Sequence, residues 1–75
     1  MKGLSRRFGQ VVREKRLERG LTQEKLAELA ELDRTFISLI ERGHRRLTLE
    51  SAHQIARALR VSVGVLVSRA EKSGD

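Results

Sequence analysis

This chain of 75 residues contains no cysteine and no proline. Without cysteine it can form neither a disulfide-stabilised scaffold nor a metal site built on thiolates. The absence of proline, together with six glycines, favours short helices that end at glycine. No apolar run approaches the roughly 20 residues that a membrane span needs, and the basic N-terminal segment has no apolar core or cleavage signal of a targeting peptide. Because the chain also begins with Met, we expect a complete cytoplasmic protein.

The sequence patterns typical of enzymes are also missing. There is no Gly-rich phosphate loop, no serine elbow and no cysteine nucleophile. The two histidines, His44 and His53, are nine residues apart and have no carboxylate at metal-ligand spacing. We therefore expect a protein that is not an enzyme and that uses no metal ion, cofactor or small-molecule ligand.

The charge is positive and unevenly distributed. Sixteen Lys and Arg against ten Asp and Glu give a net charge of +6, and twelve of the sixteen are arginine. Residues 1–19 carry seven basic and two acidic side chains, and residues 42–69 carry six and one, whereas residues 20–41 carry two and five. Arginine suits bidentate contacts to phosphates and bases better than lysine does. This distribution indicates a polyanion such as DNA as partner, although an arginine-rich surface also serves solubility.

Hydrophobic periodicity, caps and glycine stops predict five helices and no sheet. The predicted fold class is therefore all-α: one compact five-helix domain over residues 1–75, with its core at about residues 5–69 and a frayed end at residues 71–75. The predicted caps and stops are Thr22, Asp33, Thr48 and Ser62 at helix starts, and Gly20 and Gly43 at helix ends.

Apolar side chains with helical spacing mark the predicted core faces. They are Phe8, Val12 and Leu17 in a first helix over about residues 5–19, and Leu49, Ala52, Ile55, Ala56 and Leu59 in the fourth helix. The fifth helix is predicted from Val63 to about Ala70. Alternation of valines with an interrupting Gly64 would also fit a strand there. No partner strand is predicted elsewhere and an isolated strand is not stable, which favours the helix.

Residues 21–43, LTQEKLAELAELDRTFISLIERG, are predicted to form two short helices joined by a tight turn. Such a pair fits the helix-turn-helix unit, in which the start of the second helix faces base edges in the major groove. The side chains expected to read bases are Arg34, Thr35, Ser38 and Leu39. Arg34 can donate two hydrogen bonds to guanine, which discriminates by about 1–3 kcal/mol, and Leu39 suits a thymine methyl group. The alternative interpretation is a solvated helix face with a stray leucine.

Other residues are expected to bind the DNA backbone or to stabilise the fold. Gln23 and Thr22, with the free amides of the helix that Thr22 caps, are expected to bind a phosphate. The basic loop after the second helix lies where the backbone would pass, and its expected phosphate-binding residues are Arg42, His44, Arg45 and Arg46. Arg16 and Glu41 occur next to apolar positions, so a structural ion pair between them is expected.

These motifs resemble the Xre/Cro/cI-like helix-turn-helix family, which includes the lambdoid phage repressors. The resemblance extends from about residue 8 to residue 66 and rests on LTQEKLAELA, a three-residue turn, RTFISLIERG, a loop, and LTLESAHQIARALRVS. It implies the same residue roles: Gln23 on phosphate, Arg34, Thr35, Ser38 and Leu39 on bases, and Arg16 paired with Glu41. Two positions depart from the family pattern. Glu31 stands where glycine is usual, so it either adopts a left-handed conformation at some cost or the turn differs, and Gly64 stands where an acidic residue is common.

Within the family, the small size, RTFIS and the segment ERGHRRLTLESAHQIARAL look like the controller proteins of restriction–modification systems. This resemblance implies a small homodimer that regulates its own gene and the endonuclease gene. A single recognition helix covers too few base pairs, whereas two-fold pairing places a second one about 34 Å along the duplex. We therefore predict a homodimeric, sequence-specific transcriptional regulator on a (pseudo)palindromic operator. The predicted dimer interface comprises Leu47, Leu49, Val63, Val65, Leu66 and Val67.

Two alternatives remain open at this stage. The chain could be an antitoxin-type or phage-repressor-like regulator whose main partner is another protein, because helix-turn-helix domains also serve as scaffolds. It could also bind a membrane surface through its basic first helix. Salt-dependent duplex binding discriminates between them and the DNA-binding interpretation.

Overall fold

Five α-helices make up the computed structural model, which describes residues 3–73. They are α1 (Leu4–Glu18), α2 (Gln23–Ala30), α3 (Arg34–Glu41), α4 (Leu49–Ala58) and α5 (Val63–Lys72). No strand occurs within the described residues, so the predicted all-α fold with five helices is confirmed, and residues 63–67 are helical. Helix α5 continues two residues beyond its predicted end, into the segment expected to be frayed, while residues 74 and 75 lie outside the described part.

The four predicted side-chain caps begin α2 to α5. The side chains of Thr22, Asp33, Thr48 and Ser62 accept hydrogen bonds from backbone N–H groups of the first helical turn. Each of these bonds satisfies a donor that the helix itself leaves without a partner. Helix α1 begins after Gly3 with no side-chain cap.

A residue with left-handed backbone conformation follows each of the first four helices. Its φ angle is 69° at Gly20, 59° at Glu31, 76° at Gly43 and 61° at Arg60. At each site the next N–H donates to a carbonyl five residues earlier, as from Leu21 to Arg16 at 3.0 Å, which is the Schellman arrangement of a helix end. Glycine adopts this conformation freely, whereas other L-residues lose roughly 1–2 kcal/mol. Of the two options for Glu31, which stands where the family usually has glycine, the structure therefore has the left-handed, strained conformation.

Every helix contributes the apolar residues of one face to a single hydrophobic core. Its buried apolar residues are Phe8, Val11, Val12, Leu26, Ala27, Ala30, Ile37, Ile40, Ala52, Ile55, Ala56, Leu59, Leu66 and Ala70. Helix α1 packs against α3 and α5, and α2 packs against α3 and α4. The contact of α1 with α3 is so close that a Cβ atom on Gly9 would overlap the carbonyl oxygen of Ile40. Glycine at this position therefore sets how deeply α3 sits against the core.

Three apolar residues lie elsewhere than predicted. Leu17 and Leu49, expected on core faces, are 51% and 83% exposed. Leu66, expected in a dimer interface, has no exposed surface because its side chain packs inside the protomer. All three predictions failed for the same reason. Spacing identifies residues that share one face of a helix, but near a helix end the neighbouring helices decide which part of that face is buried.

None of the helices within residues 3–73 has the length and apolar character needed to cross a membrane. The same residues contain no group of three or more His, Asp and Glu side chains that could hold a metal ion.

Candidate nucleic-acid interface

Helix α3 divides its side chains sharply between core and surface. Ile37 and Ile40 are completely buried, whereas Arg34 and Thr35 are exposed and Ser38 and Leu39 are half-buried. The four residues predicted to read bases thus all retain surface on a helix whose opposite side is anchored in the core. Asp33 caps this helix by accepting a 3.0 Å hydrogen bond from the N–H of Thr35.

A buried ion pair ties α3 to α1. The Nε and Nη2 atoms of Arg16 donate to the two carboxylate oxygens of Glu41 at 2.7 and 3.0 Å, and Nη1 donates to the carbonyl of Leu21 at 2.8 Å. Only 9% of the Arg16 side chain and 2% of the Glu41 side chain are exposed. The two parallel hydrogen bonds fix the relative orientation of the two side chains. Because both groups are buried, loss of either partner would leave an uncompensated charge in the interior.

The same carboxylate also orients the first residue of α2. The amide Nε2 of Gln23 donates to Glu41 Oε1 at 3.1 Å, so one acidic side chain links the end of α3, the end of α1 and the start of α2. The first N–H groups of α2 have no partner within the helix. Gln23 therefore presents its amide beside free backbone donors, the combination that sequence reasoning assigned to a phosphate.

A surface groove joins the start of α2 to the start of α3. It is lined by Arg16, Thr22, Gln23, Glu24 and Arg34. The groove brings a predicted base-reading arginine next to the predicted phosphate-binding amide. Glu24 contributes a negative charge to the same groove, which disfavours an anion directly over this carboxylate.

The basic loop that follows α3 lies against the other side of this helix. The guanidinium carbon of Arg45 is 5.0 Å from the ring centre of Phe36, a cation–π contact worth about 0.5–1 kcal/mol at an exposed site. Both residues line a second groove together with Thr35 and Leu39. Arg45, predicted as a phosphate ligand only, thus lies beside two of the predicted base-reading residues.

The remaining loop residues are free to meet a ligand. Arg42 makes one long contact, Nε to the carbonyl of Ser38 at 3.4 Å. His44 and Arg46 are exposed and make no side-chain hydrogen bond to any residue of the described chain. All four basic loop residues therefore lie on the surface next to the recognition helix.

One basic residue of this surface was missed by sequence reasoning. A Cβ atom on Gly43 would lie 2.6 Å from Cγ of Arg6, so the aliphatic part of the Arg6 side chain packs over the glycine that ends α3. The charge of α1 thereby joins the basic loop. The sequence shows only a basic N-terminal segment, and 37 positions separate the two residues, so no local signal could have revealed the contact.

The residues predicted for a dimer interface are only partly available. Leu49 and Val65 are exposed, at 83% and 46%, and Leu47, Val63 and Val67 are half-buried against the core. Leu66 must be removed from the set because it is buried.

Comparison with known proteins places this geometry in a family. The family model described as helix-turn-helix matches residues 12–66. The control protein C.BamHI of Bacillus amyloliquefaciens is 49% identical over 55 residues, which cover 72% of this chain and 68% of that protein. The crystal structure of the restriction–modification controller protein C.AhdI from Aeromonas hydrophila superimposes with a TM-score of 0.80 at 41% identity, covering 81% of this chain and 92% of that one.

A third relative was solved with its ligand. The controller protein C.Esp1396I, a tetramer in complex with its natural 35-base-pair operator, matches with a TM-score of 0.86 at 42% identity, covering 96% of this chain and 95% of that chain. The chain belongs to the helix-turn-helix family, in the group that contains the restriction–modification control proteins.

Proposed function

We propose that this protein is a transcriptional regulator that binds a (pseudo)palindromic operator as a homodimer, in the manner of a restriction–modification controller protein. The observation that carries the proposal is the Arg16–Glu41–Gln23 network, which fixes α3 and the start of α2 relative to each other. A fixed pair of helices lets phosphate contacts at α2 set the depth and register at which α3 meets the bases. A relative, C.Esp1396I, was solved in complex with its operator, and this supports the proposal.

In this proposal α3 enters the major groove with its N-terminal residues foremost. Arg34 donates to a guanine edge, Thr35 and Ser38 donate or accept at neighbouring bases, and Leu39 contacts a thymine methyl group. The backbone is held on one side by Gln23 and the amides that follow Thr22. On the other side it is held by the loop residues Arg42, His44, Arg45 and Arg46.

The proposed dimer interface is revised to the residues that have surface to bury. Leu49 is the strongest of them, because a leucine exposed over most of its area has about 2 kcal/mol to gain from burial. Val65 adds exposed area on α5, and the half-buried Leu47, Val63 and Val67 are kept from the predicted set.

Selection of duplexes from a random pool by the purified protein tests the proposal. The expected product is a two-fold symmetric sequence whose half-sites are about one helical turn apart. Affinity for it should fall steeply between low and moderate salt, because several phosphates are neutralised. Failure to enrich any sequence, or binding that does not change with salt, would overturn it and favour a regulator whose main partner is a protein.

A further inference from the structure

A third groove lies where the ends of α1 and α4 meet the last turn of α2. It adjoins the groove at the start of α2 at one point, because Leu21 precedes Thr22 in the chain and accepts a hydrogen bond from Arg16. It is lined by Arg19, Leu21, Leu29, Arg57, Ala58 and Arg60. None of these residues lines either of the two grooves beside α3. The proposed function therefore leaves this groove without a role.

The charge of the groove is positive and uncompensated. Its three arginines, Arg19, Arg57 and Arg60, are exposed and form no ion pair with any carboxylate among residues 3–73. Among the arginines of the described residues, only Arg16 and Arg69 form ion pairs, with Glu41 and with Glu14 and Glu18. No acidic residue lines the groove, so three positive charges act together on whatever enters it.

One of the three arginines occupies a strained position. Arg60 has a φ angle of 61° at the end of α4, where the equivalent positions after α1 and α3 carry Gly20 and Gly43 and the one after α2 carries Glu31. Glycine would end α4 at lower cost, since the hydrogen bonds of the helix end use only backbone atoms. Arg60 thus keeps a charged side chain in the lining of the groove at the cost of backbone strain.

We propose that this groove binds an acidic, amphipathic segment of a partner protein. Guanidinium groups pair with carboxylates through two parallel hydrogen bonds, and arginine is enriched among the residues that dominate protein interfaces. The apolar part of the lining decides between protein and DNA. Leu29 is 46% exposed and lines the same groove as Leu21, Ala58 and the three arginines. A phosphate backbone offers nothing to cover these side chains, whereas a peptide with a leucine-sized residue between two acidic ones does.

The test uses peptides displayed on phage and selected against the full-length protein. The expected product is a consensus of Asp or Glu flanking Leu, Ile or Phe. The enriched peptide, made with a fluorescent label, should bind the wild-type protein and lose about tenfold in affinity with either Arg57→Ala or Arg60→Gly in an anisotropy titration. The matched control is Arg13→Ala, which removes an exposed arginine of α1 outside the groove and should leave the affinity unchanged.

Arg60→Gly separates a binding role from a structural one. Relief of the left-handed strain should raise the melting temperature while peptide affinity falls, so stability and binding change in opposite directions. Selection without an acidic consensus, or an acidic peptide equally affected by Arg13→Ala, overturns the proposal. If Arg57→Ala and Arg60→Gly instead weaken binding to all duplexes alike, the groove is a DNA backbone site and the proposal is wrong. None of these outcomes depends on whether an operator has been found.

Discussion

Removing the carboxylate of Glu41 should both destabilise the protein and lower its affinity for DNA, and the two effects can be measured separately. In Glu41→Met, the Arg16 guanidinium stays in a site where 9% of its side chain is exposed and has no counter-charge. Such a loss costs about 3–5 kcal/mol. A domain of 75 residues has roughly 4–11 kcal/mol of total stability, so the variant should lose between about a quarter and all of it.

The double variant Arg16→Met, Glu41→Met should recover most of that loss. Replacing both members of a buried pair by apolar residues of similar volume is often neutral or stabilising, because neither charge has to be desolvated. The 3.1 Å hydrogen bond from Gln23 to Glu41 is nevertheless absent in this variant. Operator affinity should therefore stay reduced by about fivefold, the equivalent of about 1 kcal/mol for one orienting hydrogen bond.

Urea denaturation followed by circular dichroism measures the stabilities, because the chain has no Trp or Tyr to report by fluorescence. With a slope of about 1–3 kcal/mol per molar urea, the Glu41→Met midpoint should fall by at least about 1 M. Gln23→Ala provides the control: it should weaken DNA binding in the wild-type protein and much less in the double variant. A single variant that loses under about 1 kcal/mol, or a double variant with full operator affinity, would refute the reasoning.

Three further changes have distinct expected outcomes. Glu31→Gly should raise the free energy of unfolding by about 1 kcal/mol in the same urea assay, because glycine adopts the φ angle of 59° without strain; a destabilised variant would contradict this. Arg34→Ala should change the base preferred at one operator position, whereas Arg46→Ala should weaken binding to all duplexes alike and reduce the salt slope by about 1; equal behaviour of the two variants would remove the distinction. Leu49→Asp should yield folded monomers in sedimentation, and a persisting dimer would move the interface elsewhere; the same change at Leu66 would report only unfolding, because that residue is buried.

Prediction from the sequence succeeded where the determining interactions are local. Thr22, Asp33 and Thr48 lie next to the helices they cap, and each bond reaches no more than three residues along the chain. The alternation of buried Ile37 and Ile40 with exposed Arg34 likewise follows from the helical repeat alone. These features needed no knowledge of the rest of the molecule.

Prediction was wrong or silent where the outcome depends on a distant element. Leu49 and Leu66 both fit apolar stripes, yet one is exposed and the other buried, because only the packing of helices decides which part of a stripe is covered. The contact of Arg6 with Gly43 and the cation–π pair of Arg45 with Phe36 have no signature in the spacing of the residues.

By itself the order of amino acids determined the five helices, the side-chain caps of α2 to α5, the glycine stops after α1 and α3, and which side chains of α3 point away from the core. These depend on hydrogen bonds and side-chain periodicity within one or two turns. Only the tertiary structure decided that Gln23 is held by Glu41 and that three arginines from two helix ends share one groove. The physical reason is that such contacts join residues far apart in the chain, and their geometry is set by how closely the helices approach, as at Gly9 against Ile40.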